Sequence, residues 1–574
     1  MRNWIKIWSR RERKLVIKRG SDALILIIIL MFSFGSVTAQ PLTLPFEQSL
    51  RIEQERGLLD SSKIWHAVYP FRIEVDSKDP AYSDLADFEQ DSSSGKFRSW
   101  VTRKLFYESF IQIDSGAFRL RIDPMVLFEV GKQLAVDQAG DPGDTGGAQI
   151  LDALAGGDGR NTWVNTRGVR VDGSIGRQVA FHTAFYESQA VLPTWLDAQT
   201  RSLRVVPGQA MYKGFKENGF DYAFAEGHVS YSPSRYFNFR LGHGKNFLGD
   251  GYRSLLLSDA AFNYPYLAVN TRVWNIEYVN IYSQMMDISA PKSGVWQPWQ
   301  KKYTTTHYLS WHVLPWLNIG LFESIVWQAA DSTGQRGFDL NYLNPVIFYR
   351  PVEFSLGSPD NALMGGSIRM TILKRNMLYF QLLLDEFKLE HVLKGDGWWA
   401  NKHGFQAGVK SYDPFGLRNL FIQAEYNHVR PYTYSHNSTL QNYAHYNQPL
   451  AHPQGANFRE FVLLLDQRIR RWQLNYKLVY ATYGADTAGF NYGHDVYKPY
   501  LTYISEFGNE IGQGLKTTLV QHDLNAGYII NPATNLKLSI GLTLHHRFSS
   551  VADENNLLIW IGLRSAVFNR YYDF

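Results

Sequence analysis

The sequence has no cysteine. Disulfides and thiol chemistry are therefore excluded, and a chain of this size must be held by its main chain and its packing. Long apolar runs are also scarce. Beyond the first forty residues no stretch reaches the ~18 apolar residues of a membrane-spanning helix, so none is expected in the mature chain. A surplus of charge is missing too. The 58 basic and 53 acidic residues include eight basic and two acidic ones before Gln40, which leaves 50 against 51 in the remainder. That near-neutral balance excludes nucleic acid as a partner. The GxxxxGK[ST] phosphate loop, the HExxH zinc motif and the EF-hand loop are all absent. What is plentiful is aromatic: 34 Tyr, 35 Phe and 16 Trp. That wealth suits a closed barrel with aromatic girdles. It equally suits a carbohydrate-binding or a large secreted β protein.

Residues 1–39 read as an export signal. Arg2, Lys6, Arg10, Arg11, Arg13, Lys14, Lys18 and Arg19 precede the apolar core Ala23 to Phe34. Val37-Thr38-Ala39 then supplies a small-residue cleavage site. The core is too short for a bilayer-spanning anchor. Residues 40–96 are expected to form an N-terminal periplasmic segment, in which Phe46, Leu50, Ile52 and Leu58 give a short amphipathic helix within 45–60.

From residue 97 onward the pattern is period-two alternation, the signature of half-buried strands. Phe97 to Arg103 reads as a first strand. Leu192 to Val205 reads as helical, and Tyr212 to Phe220 as its continuation, giving a helical insert near 192–220. Short turns such as 374–376, 469–471 and 531–535 alternate with long excursions at 329–365, 385–404, 433–459 and 483–513. That long-short rhythm belongs to outer-membrane barrels, whose short turns face the periplasm. The last segment, through Phe574, reads as a strand with a terminal aromatic, like an outer-membrane assembly signal. The expected fold is all-β: an outer-membrane β-barrel of about 16–18 antiparallel strands with small helical inserts and a plugged lumen, located in the outer membrane.

The most unusual stretch is YFNFRLGHGKNFLGDGYRSLLLSD, Tyr236 to Asp259. It begins as a strand, then breaks at Gly242, Gly244, Gly249 and Gly251 into a polar internal turn. The segments GHGKNFLGDGYRSLLLSD (242–259), NYLNPVIFYRP (341–351), SPDNALMGG (358–366), LLLDEF (382–387) and YNQPLAHPQGANFREF (446–461) give the chain a resemblance. It resembles the Wzi-type capsule assembly family of outer-membrane β-barrels, and within it the Bacteroidetes members associated with gliding motility. The resemblance implies an eighteen-stranded barrel with a small periplasmic helical part. It also implies binding of exopolysaccharide, or organisation of surface adhesin machinery, with no enzymatic step and no cofactor. The partners implied are outer-membrane lipid, surface polysaccharide and gliding or secretion machinery proteins.

Candidate ligand-binding residues within these segments are Asp250, Arg253, Asp259, Asn344, Arg350, Asp360, Asn361, Asp385 and His452. Their carboxylates, amides and guanidinium groups suit either an internal bracing network or the hydroxyls of a saccharide. Trp398 and Trp399 join them as stacking platforms in a long loop, or as markers of the lipid interface. No catalytic or metal site is expected. Asp385-Glu386 is the one tempting carboxylate pair, and in a strand the two side chains take opposite faces. The alternative functions are an outer-membrane diffusion channel and a structural partner of a secretion or motility complex.

Overall fold

Alternation along the chain becomes a closed wall of 18 antiparallel strands. The computed structural model describes residues 41–43, 46–60, 64–70, 72–74, 99–135, 159–289, 299–331, 334–347 and 360–574. The export signal expected at 1–39 lies outside the described residues. The wall begins with β1 (Phe118–Ala135), β2 (Arg160–Ile175), β3 (Val179–Val191), β4 (Gly219–Tyr231), β5 (Phe237–Gly244) and β6 (Tyr264–Val273). It continues through β7 (Ile276–Asp287), β8 (Gln300–Leu314), β9 (Leu317–Gln328), β10 (Asn361–Ile372), β11 (Asn376–Glu386) and β12 (Lys402–Tyr412). It ends with β13 (Leu420–Val429), β14 (Phe458–Ile469), β15 (Trp472–Ala485), β16 (Leu515–Asn531), β17 (Leu536–Ser549) and β18 (Asp553–Arg564). β18 closes on β1, Asn556 facing Ala135 and Arg564 facing Leu127. Closure leaves the ring without a free edge strand, each wall strand pairing with a neighbour on both sides.

Among the described residues, four α-helices accompany the wall: α1 (Gln48–Asp60), α2 (Trp100–Phe106), α3 (Thr194–Leu203) and α4 (Leu389–Lys394). α1 lies within the helix expected at 45–60, and α3 within the expected helical insert. Two expectations are corrected. Residues 100–106 are helical rather than a first strand, because Ser99 caps the turn by accepting a hydrogen bond from the Thr102 amide at 3.3 Å. Tyr212 to Phe220 is not helical. Lys213–Phe215 is a short strand that pairs with the start of β4, where Gly219 faces Phe215.

One end of the barrel carries short turns, at 176–178, 274–275, 315–316, 373–375 and 470–471. Trp274, Leu373, Lys374 and Arg470 take left-handed φ there, as tight hairpins demand. The opposite end carries long loops at 192–218, 245–263, 387–401, 430–457 and 486–514. The short-turn end is the periplasmic one.

The pleat sorts side chains across the wall. On β5, Asn238 and Arg240 point inward and are buried, while Phe237, Phe239 and Leu241 are exposed outside. Similar outward residues continue round the ring, among them Phe185, Val229, Leu321, Phe380, Leu474, Leu524 and Ile540. Trp274, Trp316, Phe415 and Trp472 stand exposed at the short-turn end, with Trp274 and Phe415 each at 89 %. An apolar outer face bounded by aromatics is what hydrocarbon and its interface select, and the protein is an outer-membrane barrel.

Leu241→Arg would place a guanidinium on that outer face. It is expected to cost about 2–4 kcal/mol near the bilayer midplane, whereas Leu241→Phe should be near neutral. Reversible urea unfolding in lipid vesicles checks both.

Candidate functional site

The bore is filled by the chain itself. The loop that follows β5, residues 245–263, turns inward instead of leaving the barrel. Phe247–Leu248 pairs with Val68–Tyr69 of the N-terminal segment. Leu255, Leu256 and Leu257 are buried in a core with Val68, Leu363, Leu383, Tyr434 and Tyr443. Gly249 makes the inward turn possible. Its φ is +141°, and a Cβ there would lie 2.1 Å from the Gln381 Nε2 on the wall.

Backbone groups carried into the bore need partners. Glu425 of β13 accepts hydrogen bonds from the Tyr252 amide at 2.7 Å and the Arg253 amide at 3.1 Å. Gln381 of β11 accepts one from the Leu255 amide at 3.0 Å. From the loop side, segment 430–457 folds down on the same loop. The hydroxyls of Tyr434 and Tyr443 donate to the carbonyls of Leu255 and Leu256, each at 2.8 Å.

Arg253 sits at the centre, 1 % exposed. Its guanidinium meets Glu460 of β14 at 3.1 Å and Asp573 at 2.9 Å. His452 approaches the other oxygen of Glu460 at 2.7 Å. Asp573 also accepts from the Tyr252 hydroxyl at 2.8 Å and meets Lys477 of β15 at 2.6 Å. Burial pushes the Asp573 carboxyl up, but Arg253 and Lys477 outweigh it and hold the group well below the usual carboxylate range.

Asp573 belongs to a ten-residue segment that corrects the expectation of a terminal strand. β18 stops at Arg564, and residues 565–574 are not strand. They re-enter the bore. Asn569 and Tyr571 both donate to Asp259 of the central loop, at 3.1 and 2.7 Å. The physical reason is polar: Asn569 and Asp573 find their partners in the lumen, where a further turn of wall would have left them against lipid.

α1 fills the short-turn end. Arg51 donates to the Asp250 carbonyl at 3.0 Å and pairs with Glu55 at 2.9 Å. Glu55 also meets Lys410 of β12 at 2.7 Å and accepts from the hydroxyls of Tyr69 and Tyr412. Burial raises the Glu55 carboxyl, Lys410 and Arg51 lower it by more, and the result is about 2. The Asp250 carboxylate meets Arg369 of β10 at 2.9 Å. The Arg369 guanidinium lies 3.8 Å from the centre of the Trp65 ring.

The sequence candidates therefore separate into groups. Asp250, Arg253, Asp259 and His452 come together in the plug, each with a partner from the chain. Asp360 and Asn361 sit higher up. Asp360 meets Arg336 at 2.8 Å and accepts from the Tyr342 hydroxyl at 2.6 Å, and Asn361 donates to the Gln441 carbonyl at 2.7 Å. Asp385 pairs with Lys402 at 3.1 Å, and Lys402 also reaches Glu386 at 3.2 Å. A register shift between Leu384 and Glu386 lets one ammonium touch both neighbours, which strict alternation would have forbidden. Asn344 is exposed, its side-chain oxygen accepting from the Val346 amide at 3.1 Å. Arg350 lies outside the described residues.

Trp398 and Trp399 are half-buried rather than open platforms. Trp399 stacks on Tyr503 at 4.6 Å between ring centres, and Trp398 on His391 at 4.6 Å. Sequence reading missed Glu55, Glu425, Glu460 and Asp573, the carboxylates that anchor the plug. For Asp573 a signal was present: the alternation fails after Arg564.

Among the cavities that the described residues leave beside the plug, two stand out. One of about 450 Å³ opens among the long loops, lined by Ala198, Gln199, Gln448, Gln454, His494 and Arg547 among others. The other, of about 300 Å³, lies toward the short-turn half and includes Glu47, Gln473, Lys477, Lys537 and Arg570. Trp195, stacked on His545 at 4.5 Å, borders both. Among the described residues no group of three His, Asp or Glu is placed to hold a metal ion.

A closed wall, an apolar outer face and a self-filled bore define an occluded outer-membrane β-barrel protein. No protein-family model matches the chain, and no curated protein matches it. Among solved structures it is similar to Escherichia coli Wzi, described as a carbohydrate-binding β-barrel involved in group 1 capsule assembly. That alignment has 13% identity, covers 91% of this chain and 99% of the other, and gives a TM-score of 0.48. Pseudomonas aeruginosa OprD aligns at 10% identity over 80% of this chain and 100% of that one, with a TM-score of 0.38. OpdO of the same organism aligns at 11% identity over 81% and 99%, with a TM-score of 0.40.

Two outcomes follow from the plug. Arg253→Met leaves Glu460 and Asp573 without their shared cation. It is expected to cost about 3–5 kcal/mol in urea unfolding and to expose residues 565–574 to protease. The double variant with Asp573→Asn should recover part of that loss. The Glu55 carboxyl lies below its ordinary 4.5, so its contribution to α1 docking is full above pH 4.5 and is lost as pH falls through about 2. Protease cleavage at α1 as a function of pH checks the direction.

Proposed function

We propose that this protein is a non-enzymatic outer-membrane barrel that binds and retains exopolysaccharide at the cell surface. One observation carries the reading: the bore is filled by its own chain, while a cavity of about 450 Å³ opens among the long loops. A barrel that blocks its lumen with several segments of its own chain is poorly arranged for diffusion, and a binder needs only the outer end. The cavity is of ligand size. Its lining of amides (Gln199, Asn447, Gln448, Gln454), with His494 and Arg547, suits the neutral hydroxyls of a sugar. Trp195 and Tyr497 add aromatic surface. The packing of Trp398 and Trp399 favours a role in joining two loops over a role in stacking on sugar. The motility role implied by the sequence resemblance would be served through the polymer so retained.

Conductance and binding separate this reading from a diffusion channel. In planar bilayers the purified protein is expected to show no steady open state. Ala198→Trp, which fills the loop-side cavity, should preserve heat-modifiable migration and reduce retention of surface polysaccharide on intact cells at least several-fold. A steady open conductance in the parent protein, or unchanged retention in the variant, would overturn the proposal.

A further inference from the structure

On one side of the barrel the apolar outer belt does not stop where the strands stop. The outward rings of β11, β12 and β13 form a chain: Phe380 lies 6.3 Å from Phe405, which stacks on His428 at 4.7 Å. Two residues nearer the loop end, outward-facing His403 meets Phe387 at 6.2 Å. Phe387 begins the loop that leads into α4. On α4, Leu389, Val392 and Leu393 are all exposed, Leu393 at 78 %. Their i, i+3, i+4 spacing puts them on one face.

A second loop extends that face. The Gly508 amide donates to the Asp396 carbonyl and the Trp399 amide to the Glu506 carbonyl, each at 2.9 Å. His391 lies 5.8 Å from Phe507. This joins exposed Leu501, Ile504 and Phe507 to the α4 face. Lys394 and Lys388 are engaged locally, while Glu506 stands exposed within the second segment. Lys394 pairs with Glu390 at 2.6 Å, and the Lys388 ammonium lies 5.7 Å from the Trp398 ring.

We infer that the two-loop rim formed by residues 387–394 and 501–507 rests among the acyl chains of the outer leaflet, so that lipid contact rises higher over β11–β13 than the strands alone would carry it. Continuity with the lipid-facing wall selects the occupant. The rim's apolar face runs on from His403 and Phe405, which already stand in the outer belt. A contiguous apolar face of this kind is uncommon against water. Aromatic and aliphatic side chains at the rim of a barrel match the boundary between chains and headgroups.

The absence of cysteine makes the test direct. Leu393→Cys carries a single nitroxide, in the full chain folded into phosphatidylcholine vesicles. Collision rates are measured with oxygen, which concentrates in hydrocarbon, and with a water-soluble nickel chelate. The same label at Ala407, outward on β12, and at Glu510, exposed in the long loop, gives the two references. The oxygen-to-nickel ratio at position 393 is expected to exceed that at 510 several-fold and to fall between it and that at 407. A ratio like that at 510 places the rim in water and overturns the inference. Shielding from both reagents, with dipolar broadening between labels, makes it a contact between copies and overturns it equally. Heat-modifiable migration verifies folding, and Leu389→Cys provides a second position if the first variant fails to fold.

Discussion

Eighteen strands enclose a bore wider than the wall's own inward side chains can span, the size range in which porins keep an aqueous channel. Filling that bore is the constraint the rest of the structure answers. Among the described residues, the segments that enter it include α1, residues 64–70, the loop 245–263, the loop 430–457 and residues 565–574. Each brings backbone donors and acceptors into a space without bulk water, and each needs wall partners at fixed heights. Glu425 and Gln381 serve two amides and one amide of the central loop respectively. The inward residues of β11 and β13 therefore act as acceptors for the plug as much as lining for a pore.

The buried charges follow from the same constraint. A guanidinium inside a barrel is costly unless carboxylates meet it, and the net gain from such a pair is small. Their value lies in position. Arg253 ties the central loop to both the wall, through Glu460, and the C-terminal segment, through Asp573. Arg369 joins Asp250 to Trp65 of the segment 64–70. A one-residue shift of α1, of the central loop or of residues 565–574 would leave a charge unmatched, so these pairs tie each of the three to one register.

The wall was legible from the sequence because lipid outside and polar plug inside enforce strict alternation, as at Phe237 to Leu241. The loop rhythm was legible because hairpin turns at one end are short for geometric reasons. The central loop announced itself through its glycines, and the residues singled out there, Asp250, Arg253 and Asp259, do converge. Their partners were not legible. Glu55, Glu460 and Asp573 lie hundreds of residues away or on another strand, and nothing local distinguishes a carboxylate facing the bore from one at a turn. Residues 565–574 misled because an aromatic-rich end reads as strand when its polar members are ignored. Trp398 and Trp399 misled for a related reason: a loop position says nothing about the second loop that covers it.

The connectivity ties sealing of the barrel to filling it. β1 and β18 form the seam, α1 lies upstream of β1, and residues 565–574 follow β18 directly. The two plug elements nearest the seam in sequence meet inside: the Gln48 amide donates to the Asn569 side-chain oxygen at 3.0 Å. Arg570 meets Glu129 of β1 at 2.9 Å, and Ser565 donates its amide to the Val126 carbonyl at 2.9 Å. Bringing β18 against β1 thus delivers the C-terminal segment to the same wall it must line, with only a few residues of chain left to order. The loop-closure cost of docking a segment grows with the length of free chain, so a plug attached at the seam is ordered at little further expense. The central loop is likewise tethered at both ends, by β5 and β6. A bore filled this way needs no partner subunit to be occluded, and leaves the long-loop end free for whatever the cell surface presents.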